Sequence, residues 1–443
     1  MAQIPKVRIR NKMLPSRKIN AKKHQSVTSA EILVTLTFVG AFLVAFFGRN
    51  FSNTAQAHIL HDTKHVSMGQ VPVSPKGSRL FFASVDDASI VSVAAIRGDK
   101  ITVADQTTQT LVTWQKSEPV DASADREQSN SVTQMMQSPN GRFVAANVAF
   151  GVTNQLMITD LQDREKPHLF KLVDQGEGSL IGWHPDSSHV LYRADDVGVA
   201  DPGLWIVDVT NGSHERVEIP ELKSSWGLLT ASFSPDGKQV LYATSKGMGF
   251  GSELYSFDLD TKKHELVWKD ETKVLASLVY APDGKYIAFN TLLDSPVPFA
   301  RSGLYVMDVS DHSTSLLTLM DGGHGQMPIW SSDGQDIVFV ARDNLDNANA
   351  DVIDEALSSS IRSVNIATSK EITLVPGDKA RQVDISLAPT GEVLFSSNRS
   401  GKAEIWAVTA AGEMQQLTFD GQPKKLPIFL SDIQPTVSKE VTK

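Results

Sequence analysis

From residue 68 onward, the chain alternates short apolar runs with polar turns. Runs such as 180–183, 190–192 and 204–207 are separated by connections rich in Pro, Asp and Gly. Short runs of β-branched and aromatic residues between turn residues are typical of antiparallel strands. The pattern repeats about every 50 residues with about four strands each time, so we expect an all-β repeat protein.

One turn element recurs seven times, at 74–77, 138–141, 184–187, 234–237, 281–284, 331–334 and 388–391. Its fullest form is Ser-Pro-Asp-Gly. Proline presets the φ of the second turn position, and Asp or Asn tolerates the backbone conformation of the third position. Gly then takes the positive φ of the fourth position. We therefore assign structural turn roles to Pro75, Gly77, Pro139, Gly141, Pro185, Asp186, Pro235, Asp236, Gly237, Pro282, Asp283, Gly284, Asp333, Gly334, Pro389 and Gly391.

Each turn lies between two apolar strands, and a third strand follows that ends in most copies in an acid, as at Asp160, Asp208, Asp258 and Asp308. We expect 101–105 to be the first copy of this third strand. One four-stranded unit cannot bury both of its faces, whereas a closed ring of units buries them against neighbours. The fold class is therefore a β-propeller of four-stranded antiparallel blades; seven turns favour seven blades, with six and eight as alternatives.

The C-terminal end bears on how the ring closes. Residues 426–432 repeat the pattern of 327–333 almost position for position. The sequence therefore contains, near its C-terminal end, one additional copy of the strand that precedes the repeated turn and that lies innermost in a blade. Such a strand would pair into the first blade and remove an exposed sheet edge. We expect this strand to fasten the ring.

The order of these segments resembles that of a known family. Apolar residues before Ser-Pro-Asp-Gly, then apolar-Phe, then Leu-Tyr-x-x-Asp and Leu-Thr resemble the TolB-like β-propeller repeat, which is related to WD-type repeats. The resemblance covers residues 68–432. It implies a scaffold that binds other proteins of the cell envelope or membrane, and TolB itself resembles a six-bladed ring.

The N-terminal region has a different composition. Residues 1–57 hold nine Lys or Arg and one acid, and the seventeen residues 32–48 are uncharged and mostly apolar. Seventeen helical residues reach ~26 Å, at the short end of what spans a bilayer core. The basic flank predicts a cytoplasmic N-terminus and a propeller on the extracytoplasmic side of the cytoplasmic membrane. The expected regions are a basic cytoplasmic segment 1–30, a transmembrane signal-anchor helix 31–48, a stalk 49–67, the propeller 68–432 and a polar tail 433–443. Cleavage after Ala57 is the alternative to an uncleaved anchor.

Charge and cysteine content exclude several classes. The whole chain carries −9 and residues 1–57 carry +8, so the remainder carries −17. A body this acidic repels phosphate backbones, so we expect no nucleic-acid partner. The chain contains no Cys, which excludes disulfides, thiolate metal sites and a cysteine nucleophile.

Candidate metal ligands occur in the insertion 343–360. Its acids and amides suit Ca²⁺, which prefers oxygen ligands. The candidate ligands are Asn347, Asn349, Asp351, Asp354 and Glu355. A solvated insertion is the alternative, and no other cofactor is expected. The Asp residues that recur in every repeat are expected to cap their own turns rather than to form a metal ring.

Two functions remain open at this point. The sequence favours a membrane-tethered scaffold for protein interaction or ligand binding without catalytic residues, because it contains no Gly-x-Ser-x-Gly nucleophile elbow and no grouped histidines in the propeller. The alternative is an extracytoplasmic enzyme of lactonase, lyase or glycan-active type that uses the axial mouth of the ring, since propellers also host such chemistry. Most of the tryptophans recur at repeat positions and are expected in the core, or in part at a ligand mouth: Trp183, Trp205, Trp226, Trp268, Trp330 and Trp406.

Overall fold

The structure is a computed structural model, and its description covers residues 79–85, 88–94, 101, 108–114, 131–150, 153–161, 168–170, 177–195, 203–220, 227–245, 251–292, 301–322, 327–343 and 357–430. These residues form strands and turns, with no α-helix among them. The all-β prediction is thereby confirmed. The predicted segments 1–30, 31–48, 49–67 and 433–443 lie outside the described residues.

Twenty-eight strands are described, and they run in chain order as β1 (Arg79–Ser84), β2 (Ala88–Ala94), β3 (Thr108–Trp114), β4 (Ser131–Gln137), β5 (Phe143–Phe150), β6 (Thr153–Asp160), β7 (His168–Phe170), β8 (Glu177–Trp183), β9 (His189–Asp195), β10 (Gly203–Asp208), β11 (His214–Val217), β12 (Leu228–Phe233), β13 (Gln239–Ser245), β14 (Ser252–Asp258), β15 (His264–Asp270), β16 (Val274–Tyr280), β17 (Tyr286–Leu292), β18 (Arg301–Asp308), β19 (Thr314–Asp321), β20 (Ile329–Trp330), β21 (Asp336–Arg342), β22 (Ser359–Asn365), β23 (Glu371–Val375), β24 (Gln382–Leu387), β25 (Val393–Ser397), β26 (Glu404–Val408), β27 (Met414–Gln416) and β28 (Lys424–Leu430).

These strands form seven four-stranded antiparallel sheets. Six sheets each take four consecutive strands, from sheet 2 (β4–β7) through sheet 3 (β8–β11), sheet 4 (β12–β15), sheet 5 (β16–β19) and sheet 6 (β20–β23) to sheet 7 (β24–β27). Sheet 1 has the order β28-β1-β2-β3. The four-stranded antiparallel blade predicted from the repeat is thereby confirmed.

The hydrophobic core lies between consecutive sheets. Seven clusters of buried residues are described, and each joins two neighbouring sheets. Phe289 of sheet 5 packs with Leu241 of sheet 4, for example. One cluster joins sheet 7 to sheet 1 through Leu394 and Phe82. The sheets therefore close into a ring, and each blade buries its faces against its neighbours.

The C-terminal strand completes the first blade. β28 pairs antiparallel with β1, with Leu80 opposite Phe429 and Phe81 opposite Ile428. This confirms the predicted closing strand. The expected third strand at 101–105 is wrong, because β2 occupies that position and residue 101 belongs to no strand. The assignment failed because β2 ends in Ala94 and lacks the terminal acid by which the other third strands were recognised.

Antiparallel order divides the connections between two faces of the ring. Connections from first to second strand and from third to fourth strand lie on one face, which we call the turn face. In sheets 2–7 the first of these connections always has five residues, from 138–142 to 388–392. Connections from second to third strand and from sheet to sheet lie on the opposite face, which we call the loop face. Their lengths vary widely, from the two residues 151–152 to the sixteen residues 343–358.

Candidate interaction surfaces

The repeated turns lie on the turn face with the geometry that their sequence predicts. Ser234 Oγ donates to Asp236 Oδ1 at 2.6 Å, and the same carboxylate accepts the Lys238 amide at 3.1 Å. The Ser234 hydroxyl, followed by that amide, lowers the pKa of Asp236. Gly237 takes a φ of 72°, a value that favours glycine. The other assigned turn residues from Pro139 to Gly391 occupy the equivalent connections, whereas Pro75 and Gly77 lie outside the described residues.

Consecutive turns also touch one another around the ring. The carbonyl oxygen of Gly237 lies 3.1 Å from His184 Nε2 of the preceding sheet. A Cβ built on Gly284 would lie 3.4 Å from Pro235 Cγ, and one built on Gly334 would lie 3.4 Å from Pro282 Cδ. The prolines and glycines of the repeat therefore contact the neighbouring blade as well as shape their own turn. The connections of the turn face therefore hold neighbouring blades together.

The acids that end the third strands cap the next turn. Asp208 Oδ1 accepts the Thr210 amide at 2.8 Å, and Asp308 Oδ1 accepts the Ser310 amide at 2.8 Å. Asp160 instead accepts the guanidinium of Arg142, with Nη2 at 2.5 Å. Within the described portion of the chain, no three His, Asp or Glu residues come together as a metal site. Each of these carboxylates is thus engaged in its own blade.

The long acidic insertion begins on the loop face of sheet 6. Its first residue, Asp343, accepts Arg362 Nη2 at 3.1 Å and Ser360 Oγ at 2.9 Å. Arg362 Nη1 also donates to Glu371 Oε1 at 2.8 Å. The candidate calcium ligands at 347, 349, 351, 354 and 355 lie outside the described residues, so calcium binding stays a prediction. Asp343 already has a cationic partner, which the spacing of charges along the sequence did not indicate.

A cleft of about 300 Å³ lies between sheets 5 and 6. We call it the arginine cleft because Arg301, Arg342 and Arg362 are among the residues that line it. Residues 316–320 of β19 form one wall, and Ala341 completes the lining. None of these described lining residues is acidic. Thr318 Oγ1 donates to Glu371 Oε2 at 2.7 Å and so joins the two sheets beside the cleft. Sequence reasoning missed this site because its arginines come from three separate strands.

Two tryptophans form hydrogen bonds between neighbouring blades. Trp183 Nε1 donates to the Met136 carbonyl at 3.2 Å, and Trp330 Nε1 donates to the Val279 carbonyl at 2.9 Å. Both rings end the inner strand of one blade and reach back to the inner strand of the preceding blade. The guanidinium carbon of Arg399 lies over the Trp406 ring, 5.4 Å from the centroid of that ring. These positions are packing positions between and within blades, and Trp226 lies outside the described residues.

Asp384, on the inner strand of sheet 7, is an acid that the sequence pattern did not single out. Asp384 of β24 has a φ of 55°, and its Oδ2 accepts the Leu426 amide of β28 at 3.2 Å. Leu426 also has a positive φ, 53°. Ser386 Oγ donates to the Pro427 carbonyl at 2.6 Å. The two irregular strands therefore hold each other where the ring closes, and Asp384 serves that junction.

Exposed apolar side chains are distributed unevenly. Seven large apolar residues are described as exposed, and all lie on the loop face or on the outermost strands: Val85, Leu266, Leu316, Met327, Ile372, Met414 and Phe419. Phe419 is the most exposed, at 61%. None of the described connections of the turn face carries such a residue. Among the described connections, exposed apolar side chains of this size therefore occur on the loop face alone.

No helix among the described residues has the length and apolar character needed to cross a bilayer. The predicted anchor 31–48 lies outside those residues.

Comparison with known proteins gives information on the fold only. No protein-family profile matches the chain. Among solved structures, TolB from Acinetobacter baumannii is similar at 18% identity, covers 79% of this chain and 81% of its own, and has a TM-score of 0.45. Tricorn protease is similar at 14% identity over 81% of this chain and 36% of its own, with a TM-score of 0.51. A protein from Bacteroides uniformis, described provisionally as a 6-phosphogluconolactonase, is similar at 12% identity over 80% of this chain and 100% of its own, with a TM-score of 0.48. At these identities the similarities concern the fold alone and indicate no particular activity.

Proposed function

We propose that this chain is a membrane-tethered, extracytoplasmic β-propeller that binds other proteins through its loop face. The observation that carries the proposal is the uneven distribution of exposed apolar side chains: Val85, Met327 and Phe419 lie in loop-face connections, and the described turn-face connections have none. Loops that vary in length on a rigid scaffold are where binding residues concentrate.

The tether is proposed from the N-terminal sequence. The uncharged segment 32–48 follows a region rich in Lys and Arg, and this charge bias keeps the basic end in the cytoplasm. A reporter fused after Lys443 should then be active only outside the cytoplasm. Activity of that reporter inside the cytoplasm would contradict the proposed topology.

Photo-crosslinking in intact cells tests the binding face. A crosslinking amino acid at position 327 or 419, on the loop face, should capture partner proteins. The matched controls are Lys262 and Lys285, which lie in turn-face connections. We expect discrete protein adducts from 327 and 419 and none from 262 and 285. Equal adducts from both faces, or adducts from the turn face alone, would refute binding through the loop face.

The enzyme alternative at the axial mouth has no specific observation in its favour among the described residues. It remains a prediction, as does calcium as a cofactor.

A further inference from the structure

His184 occupies a position that holds serine or alanine in the other described repeat turns. It begins the turn 184–187, and serine begins the turns at 138, 234 and 331. In those turns the serine hydroxyl donates to the third residue, as Ser331 Oγ does to Asp333 Oδ1 at 2.7 Å. His184 makes the equivalent contact through its ring, because Nδ1 lies 2.6 Å from Asp186 Oδ1. A side chain that can change its charge near neutral pH therefore replaces a hydroxyl in sheet 3.

The other ring nitrogen of His184 reaches the next blade. Nε2 lies 3.1 Å from the carbonyl oxygen of Gly237, in the repeat turn of sheet 4. The Phe233 ring packs edge-on against the imidazole, with 4.9 Å between the ring centroids, and the His184 side chain is only 19% exposed. The imidazole therefore lies between an oxygen of its own turn and an oxygen of the neighbouring turn.

Both of these oxygens act as hydrogen-bond acceptors. A carbonyl oxygen has no proton to donate, and the Asp186 side chain is a carboxylate at neutral pH. Burial acts to raise the pKa of Asp186, but hydrogen bonds from Ser188 and the interaction with His184 lower it to about 2. The ring of His184 therefore meets an acceptor at each nitrogen.

The two protonation states of the imidazole fit this environment differently. A neutral imidazole carries one N–H, so it donates to Asp186 or to Gly237 and turns a lone pair toward the other oxygen. The Asp186 amide nitrogen lies 3.3 Å from Nδ1, but this longer contact does not remove the repulsion between the Nδ1 lone pair and a carboxylate oxygen at 2.6 Å. An imidazolium donates at both nitrogens, and its charge strengthens both bonds. The geometry thus fits the protonated ring.

Two other titratable groups of sheet 3 lie near this site. The His189 ring is 6.1 Å from the His184 ring between centroids, and its Nδ1 lies 2.6 Å from Ser188 Oγ. Asp208, at the end of β10, interacts with His189 and accepts the Thr210 amide. His189 is therefore a second histidine that an experiment has to separate from His184.

The charged groups of the two adjoining repeat turns are engaged elsewhere or exposed. In sheet 4, Asp236 caps its own turn and the Lys238 side chain is exposed. In sheet 2, Arg142 binds Asp160. Asp186 is thus the carboxylate that lies within hydrogen-bond distance of the imidazole.

We propose that His184 is a proton-dependent link between sheets 3 and 4, in which the imidazolium joins the Asp186 carboxylate to the Gly237 carbonyl and loss of the proton releases one of the two bonds. The folded chain then favours protonated His184 more than the unfolded chain does. The link therefore adds stability at about pH 5, and this contribution is lost as the pH rises toward about 8. It joins two connections of the turn face, so the inference is independent of binding through the loop face.

Amide hydrogen exchange of the purified full-length chain tests this inference at about pH 5 and about pH 8. After correction for the chemical effect of pH on exchange, the protection of 234–238 should be about three- to tenfold lower at the higher pH, the range expected for one net hydrogen bond. The matched control is the turn 331–335, where Gly334 faces Pro282 instead of a titratable side chain. Its protection should be the same at both pH values. Equal protection of 234–238 at both pH values would overturn the inference.

Two variants assign the pH effect to the proposed link. His184→Ser installs the residue that begins three of the other turns, so the turn keeps a hydroxyl donor and loses the titratable ring. Asp186→Asn removes the carboxylate that favours the imidazolium. We expect both variants to abolish the difference in protection between the two pH values, with 234–238 of His184→Ser held at the lower level. A pH difference that persists in either variant would contradict the proposal.

His189→Gln separates the two histidines. Glutamine keeps a polar side chain near Ser188 and does not change its charge, so the pH difference at 234–238 should remain as in the wild type. Loss of the difference in this variant would assign the proton to His189 and overturn the role of His184. A purely structural role of His184 predicts lower protection in His184→Ser but no pH difference in the wild type, so the pH comparison distinguishes the two roles.

Discussion

Lys424 Nζ lies 3.1 Å from Glu404 Oε2, and both side chains are only 3% exposed. Lys424 begins β28, the inner strand of sheet 1, and Glu404 begins β26 in sheet 7. The second carboxylate oxygen, Oε1, accepts the Gly421 amide at 2.6 Å, and Lys424 also donates to Asp420 and to the Gln422 carbonyl. This buried ion pair therefore fastens the closing strand to the last blade.

Removing one member of the pair should destabilise the ring. Lys424→Met leaves the Glu404 carboxylate buried without its cation, which we expect to cost about 3–5 kcal/mol of unfolding free energy. The exposed pair of Lys262 with Glu215 provides the control, since Lys262→Met should change stability by less than about 1 kcal/mol. Urea unfolding measures both changes in unfolding free energy. Equal effects of the two substitutions would argue against a role of the Lys424–Glu404 ion pair in holding β28. Adding Glu404→Gln to Lys424→Met should recover some of the loss.

Deletion of residues 424–443 should leave β1 with an exposed edge. Sheet 1 then has three strands, and Phe429 is lost both from its pairing with Leu80 and from the cluster that sheet 1 shares with sheet 7. We expect a lower melting temperature and concentration-dependent aggregation, because unpaired edges associate. Deletion of 433–443 alone should melt like the full chain. If both deletions melt alike, β28 does not close the ring in solution.

Two glycines in equivalent turns separate backbone strain from contact between blades. A Cβ on Gly391, where φ is 95°, would meet nothing within 4 Å, whereas one on Gly237, where φ is 72°, would lie 2.5 Å from His184 Nε2. Gly391→Ala should cost about 1–2 kcal/mol for the left-handed conformation. Gly237→Ala should cost about 1–3 kcal/mol more, because of crowding. Chemical denaturation measures the difference, and His184→Ser should reduce it; a difference that persists with serine would rule out crowding by the imidazole.

Acid should weaken the turn of sheet 3. Burial acts to raise the pKa of Asp186, but hydrogen bonds from the Ser188 hydroxyl and amide, and then the interaction with His184, lower it to about 2. The unfolded chain therefore binds this proton more readily, with a pKa of about 3.9. The contribution to stability is complete above about pH 4 and is lost as the pH falls through about 2. Asp186→Asn should flatten the stability profile between these pH values in a urea-unfolding series, and an unchanged slope would contradict the shift.

The repeat was readable from the sequence because its physics is local. Pro235, Asp236 and Gly237 satisfy one turn among themselves, so the same letters recur wherever that turn recurs. The buried ion pair has no such sequence signature, since Glu404 and Lys424 meet only after sheet 7 and β28 have packed. The same holds for Arg301, Arg342 and Arg362, which three strands bring to one cleft. The first blade was misassigned at 101–105 for a different reason, because its third strand, β2, ends in Ala94 and lacks the acid that ends most other third strands.

Sheet 1 also sets an order of events during synthesis. Its strands β1 and β28 are separated by about 340 residues of sequence, so the first sheet made is the last one completed. Bringing such distant segments together adds loop-closure entropy to the barrier and slows folding. Until residues 424–430 leave the ribosome, the growing chain has no fourth strand for this sheet and displays the edge of β1. A translation product that stops before β28 would thus expose the unpaired edge of β1, which distinguishes it from the completed ring.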